Sequence, residues 1–153
     1  MHNDYKCTVK INFENGDVTI EVLGGGQTFS YNSGLGFLAL PEFFVALSRL
    51  YKGEANKIKL EYHGTFECYS YYFSSDGKSL KVKHIDPFTD KMVYYIFDLK
   101  QYVKVVDKGF SEYLQHYRSE GSFPLNFDEL LNPLGETVKK YFYDFSLLIN
   151  DRI

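Results

Sequence analysis

The chain has 153 residues, the length of one domain with its own buried core rather than of two. Hydrophobic residues at 44% and charged residues at 24% lie near the globular average, which excludes wholesale disorder. A formal charge of −3 with no long Lys/Arg run argues against broad, sequence-blind attraction to a phosphate backbone.

Two cysteines, Cys7 and Cys68, are too few and too far apart for a disulfide framework. The opening residues lack the apolar stretch of a signal peptide, and no apolar run approaches the length of a membrane span. The expected compartment is the cytoplasm, with both thiols reduced.

In chain order, Tyr5, Cys7, Val9, Ile11 and Phe13 alternate with Lys6, Thr8, Lys10 and Asn12, the period of a half-buried strand. Asn15-Gly16 offers the two positive-φ residues of a tight hairpin turn, and Val18, Ile20 and Val22 resume the alternation. Gly24-Gly25-Gly26 ends that strand, and residues 27–32 suit a short third one. After Ser33-Gly34-Leu35-Gly36, Pro41 suits the first turn of a short helix. Phe43, Phe44, Leu47, Leu50 and Tyr51 have helical spacing there, and Gly53 closes the segment.

From Lys57 to Asp98 the period returns to two. Ile58, Leu60 and Tyr62 oppose Lys59, Glu61 and His63, and an aromatic strand runs from Thr65 to Phe73. Asp76-Gly77 is a second hairpin signal. Leu80 and Val82 then oppose Ser79, Lys81 and Lys83, and Met92 to Phe97 forms another strand after Asp86-Pro87. If Gly64 is a turn the segment holds four antiparallel strands, and if a bend, three.

Asp98 suits the cap of a helix carrying Tyr102, Val103, Val106, Phe110, Tyr113, Leu114 and Tyr117 at spacings of three and four. Phe127, Leu130, Leu131, Leu134, Val138, Phe142, Phe145, Leu148 and Ile149 continue that period past residues 121–124. Pro133 is placed near the start of the last helix. Residues 1–153 thus read as one α+β domain of antiparallel sheets, with one short central helix and two C-terminal helices. Phe110, Leu114, Leu134, Val138 and Phe142 are the expected core stripe of the last two.

Catalytic signals are sparse. Gly77-Lys78-Ser79 echoes the end of a phosphate-binding loop, but Tyr72 stands where that loop needs glycine and a strand follows instead of a helix. The glycines at 24–26, 34 and 36 lack dinucleotide-fingerprint spacing. His63, Cys68, His84 and Asp86 lack compact metal-ligand spacing, so no metal or other cofactor is expected. No nucleophile elbow occurs, and both cysteines lie in strands that read as core. A binding protein is therefore expected rather than an enzyme.

The aromatic strand is the most informative segment. Glu67, Tyr69, Tyr71 and Phe73 share one face, and Phe66, Cys68, Ser70 and Tyr72 share the other. Exposed Tyr brings contact area, a hydroxyl and little rotamer entropy to an interface. In plan, a small acidic α+β chain with Glu61, Glu67, Tyr69, Tyr71 and Asp76 as its acid–tyrosine set resembles bacterial toxin-immunity proteins. That resemblance implies a protein-binding inhibitor that masks a cognate toxin domain, commonly a basic nuclease, with those five residues as partner contacts. The order strands, helix, four strands, helix is also similar to the Whirly-type fold. That likeness implies single-stranded nucleic-acid binding, with Tyr69, Tyr71 and Phe73 stacking on bases and Lys81 and Lys83 meeting phosphates. The net charge ranks nucleic acid below a protein partner.

Overall fold

A computed structural model describes residues 5–12, 14–63, 70–85, 89–120 and 133–150, the side chains of 117–120 excepted. It is an α+β fold of two antiparallel sheets. The first comprises β1 (Lys6–Ile11), β2 (Val18–Gly24) and β3 (Gln27–Ser33), in the order β1-β2-β3. The second comprises β4 (Lys57–Glu61), β5 (Ser70–Ser75), β6 (Ser79–Ile85) and β7 (Met92–Asp98), in chain order. Helix α1 (Gly36–Lys52) joins the sheets, and α2 (Leu99–Glu120) and α3 (Glu136–Asn150) follow. Residues 57–98 thus follow the four-strand alternative, while Gly64 itself lies outside the described residues.

The turns depart from expectation in an instructive way. β1 and β2 pair as foreseen, but Ile11 faces Val18, so the connection is longer than two residues. Asn12 and Asn15 explain the length: their side-chain oxygens accept the N–H groups of Glu14 and Asp17. The tight two-residue turn is instead Gly25-Gly26, both at positive φ, between the paired residues Gly24 and Gln27. Asp76-Gly77 does connect β5 to β6, with Gly77 at positive φ.

Helix α1 is 17 residues, longer than expected, and starts at Gly36. Pro41 therefore sits inside it and not in its first turn. Eight buried residues hold the helix despite the hydrogen bond that proline removes. At its end Gly53, at positive φ, donates to the carbonyls of Arg49 and Leu50, the expected C-terminal cap. Asp98 also caps as expected, accepting the Gln101 N–H at 2.9 Å.

Strand β3 organises the core by running across the inner face of the second sheet. Ser33 Oγ accepts the N–H of His63, just beyond β4. On β5, the Tyr71 hydroxyl accepts the N–H of Asn32 and donates to its carbonyl. The Phe29 ring meets Tyr71, Phe73, His84 and Tyr95, spanning β5 to β7. Gln27 finishes the crossing: its amide donates to the Ile96 carbonyl, and its oxygen accepts the Ile96 N–H. β3 thus crosses the second sheet obliquely, from just beyond the end of β4 to the outer edge of β7.

The three helices meet at Phe44, whose ring lies 5.1 Å from Phe110, 5.3 Å from Phe142 and 5.4 Å from Phe145. The expected stripe of Phe110, Leu114, Leu134, Val138 and Phe142 is buried throughout. Asp107, inside α2, accepts from Asn150 at 2.9 Å, which ties the C-terminal end of α3 to α2. Phe127, Leu130 and Leu131 lie outside the described residues.

Phe142→Ala removes a ring from this junction and is expected to lower stability by about 3–5 kcal/mol, read from urea unfolding. A second test concerns Gly109, where α2 crosses β1. A Cβ there would lie 2.8 Å from Cys7 Cβ and 3.0 Å from the Cys7 carbonyl oxygen. Because backbone cannot turn aside, Gly109→Ala should destabilise by about 1–3 kcal/mol despite alanine's better helix propensity. A raised melting temperature would show that helix and strand can separate freely.

Candidate functional surface

Strand parity and register assemble one composite surface on the outer face of β4–β7. The residues opposite one another form cross-strand rows. One row runs Lys59, Tyr72, Lys83, Tyr94, and its neighbour runs Lys57, Ser74, Lys81, Ile96. Glu61 faces Ser70 at one end, Ile85 faces Met92, and Ser79 faces Asp98 at the other end. Four lysines of a chain with net charge −3 thus gather on a single face.

The face has two halves. On the β4–β6 side the lysines border a cleft of about 520 Å³ around Tyr72 and Ser74. Lys59 Nζ and Lys83 Nζ sit over the Tyr72 ring, 5.7 Å and 5.2 Å from its centroid, within cation–π range. On the β7 side Tyr94 and Ile96 are 60% and 53% exposed, with Met92 and Ile85 beside them. Large apolar side chains clustered in water mark an interaction surface more often than scattered ones do.

The expected contact residues are distributed differently. Glu61 is exposed at the end of β4. Asp76 is exposed at the hairpin tip, but its carboxylate is engaged there. Hydrogen bonds from the Ser79 and Lys78 N–H groups hold that carboxyl below its ordinary range. Tyr71 is a correction: it is 1% exposed, packed against Phe29 and Tyr31 and bonded to Asn32. Phe73, expected as a stacking platform, is buried beside it. Glu67 and Tyr69 lie outside the described residues.

The face expected to bind, that of Tyr71 and Phe73, is therefore turned into the core, and the opposite face is the exposed one: it is lysine-rich where it is described, with Tyr72 and Tyr94 as its tyrosines. A signal for this existed in the sequence. Closing the Asp76-Gly77 hairpin sets Ser75 opposite Leu80, which puts Phe73 opposite Val82 and Tyr72 opposite Lys83. The odd-numbered aromatics thereby join the apolar side of β6, and Tyr72 joins its lysines.

Other candidates resolve into structure. Gly77-Lys78-Ser79 is hairpin turn leading into a strand. His63 Nε2 lies 2.8 Å from Glu42 Oε1, a hydrogen-bond contact between α1 and the residue just beyond β4. The His84 ring packs among Phe29, Tyr71 and Tyr95. Cys68 and Asp86 lie outside the described residues, among which no group of three His, Cys, Asp or Glu is placed to hold a metal ion. Among the same residues no helix is long and apolar enough to cross a membrane.

No protein-family model, curated protein or solved structure matches the chain.

Cys7 is half-buried under α2, and its thiol is pushed up to about 12, first by burial and then by the charges of Glu21 and Glu112. Thiolate is the reactive form, so only roughly one Cys7 in ten thousand is reactive at pH 8. In a Cys68→Ser variant, iodoacetamide should label the folded chain far more slowly than the urea-unfolded chain. Equal rates would mean that α2 leaves the thiol open.

Proposed function

We propose that the chain is a protein-binding inhibitor of the toxin-immunity type, which masks its partner by seating it on the outer face of β4–β7. The observation that carries this reading is the cluster of Tyr72, Ile85, Met92, Tyr94 and Ile96 on one sheet face, exposed and bordered by lysines. An apolar centre with aromatic anchors and a charged rim is the usual anatomy of a protein interface.

Composition separates this from single-stranded nucleic-acid binding. Nucleic-acid sheets stack successive bases on open aromatic rings. Here the Tyr72 ring is already topped by two ammonium groups, which among the described residues of the face leaves Tyr94 as the open ring. Ile85, Met92 and Ile96 are aliphatic or thioether side chains, suited to protein rather than to bases. The lysines favour the nucleic-acid reading enough to make it the competing outcome of the test.

The test is a search of the neighbouring genes for a toxin-like domain, followed by calorimetric titration of this chain against that domain. A one-to-one complex is expected, and Tyr94→Asp with Ile96→Asp should weaken it by at least about 2 kcal/mol each, the scale of an interface hot spot. Because both side chains are exposed, melting temperatures should barely move. Filter retention of single-stranded DNA or RNA at moderate salt, with no protein complex formed, would overturn the proposal.

A further inference from the structure

The two central rows of the outer face have the same plan with one substitution. In the first, Lys59 and Lys83 flank Tyr72, and its ring fills the space between them. In the second, Lys57 and Lys81 flank Ser74, whose side chain is small and leaves that space open as part of the cleft. Lysines two strands apart have their Cα atoms roughly 10 Å from each other. Long flexible stems let both ammonium groups converge on one anion above the serine. The next residue in that row is Ile96, so an anion held there would have an apolar neighbour.

Resting on the reading of this face as a protein interface, we propose that the gap over Ser74 is a carboxylate seat. It takes an Asp or Glu side chain of the partner, while the flanking partner residue packs on Ile96 and Tyr94. The contacting patch of the partner is then acidic and apolar, the reverse of the basic patch implied by an acid-lined surface. A side-chain carboxylate fits better than a phosphate backbone for a geometric reason. Glu61 and Asp98 stand at opposite corners of the face, so a phosphate chain leaving the lysines along that diagonal meets a carboxylate. A single acidic side chain meets neither.

The experiment titrates the isotope-labelled full chain with poly-L-glutamate and, separately, with an oligodeoxythymidylate, following backbone amide signals. Poly-L-glutamate should move the signals of Ser74, Lys57 and Lys81, and more at low salt than at high salt. Ser74→Tyr should fill the gap as Tyr72 fills its own and weaken that binding by about tenfold or more, without loss of fold. Lys57→Glu with Lys81→Glu should do the same, whereas Lys100→Glu with Lys104→Glu on α2, an equal charge change, should not. Tighter binding of the oligonucleotide at the same signals would overturn the carboxylate assignment in favour of nucleic acid. Binding of poly-L-glutamate that is indifferent to Ser74→Tyr would overturn the seat. Titration of the same variants with the toxin-like domain separates the two proposals. Loss of the complex with Ile96→Asp but not with Ser74→Tyr overturns the seat alone, and loss with neither overturns both.

Discussion

The path of β3 across the second sheet is the constraint on which the rest of the molecule depends. Phe29 and Tyr31 are fully buried, and between them they occupy the inner faces of β5, β6 and β7. Polar contacts at the two ends, His63 to Ser33 and Gln27 to Ile96, fix the crossing in register. The Gln27 amide also satisfies backbone groups on the outer edge of β7, where another strand would otherwise pair. With the inner face filled in this way, the side chains exposed on β4–β7 among the described residues are those of the outer face. The helices lie on the inner side as well: Phe43 of α1 meets Phe73 on β5 and Tyr102 of α2 meets Phe97 on β7, while α2 packs on β1 and the Phe44 junction joins α1, α2 and α3.

Periodicity made most of the fold legible, because alternation and helical spacing report burial directly. The strands, the three helices, the Asp98 and Gly53 caps and the helical core stripe all follow from it. The turns were harder to read. Asn15-Gly16 has the ideal local signature, yet the Asn12 and Asn15 side chains capture backbone N–H groups and favour a longer loop. Pro41 has the sequence signature of a helix opener, but the burial of Ala39, Leu40, Phe43 and Phe44 outweighs one missing hydrogen bond and carries the helix through it. The exposed face of the aromatic strand was least legible, since both of its parities carry tyrosine. That choice is settled by pairing with β6, a non-local fact that no single segment contains.

Net charge misled for a related reason. A formal charge of −3 describes the chain, whereas recognition depends on how charge is distributed over a surface. Lysines on an edge strand often serve only to prevent unwanted strand pairing. That accounts for Lys57 and Lys59 on β4. It does not account for Lys81 and Lys83, because β6 is interior and already paired on both sides. Their placement on the same face as the β4 pair creates a field that edge protection does not require.

In the proposed complex, the division of the face into a lysine half and an apolar half also divides the work of binding. Apolar anchors such as Tyr94 and Ile96 gain their free energy from desolvation, and their loss acts chiefly on dissociation. Exposed ammonium groups contribute little to net affinity in water, but they steer approach and penalise a misplaced partner. A surface made only of the β7 residues would be adhesive without selectivity, and one made only of lysines would be selective without residence time. An inhibitor of the kind proposed, which must find one partner quickly and hold it, needs both. Antiparallel register supplies both here, by setting Lys83 directly beside Tyr94 and Lys81 directly beside Ile96.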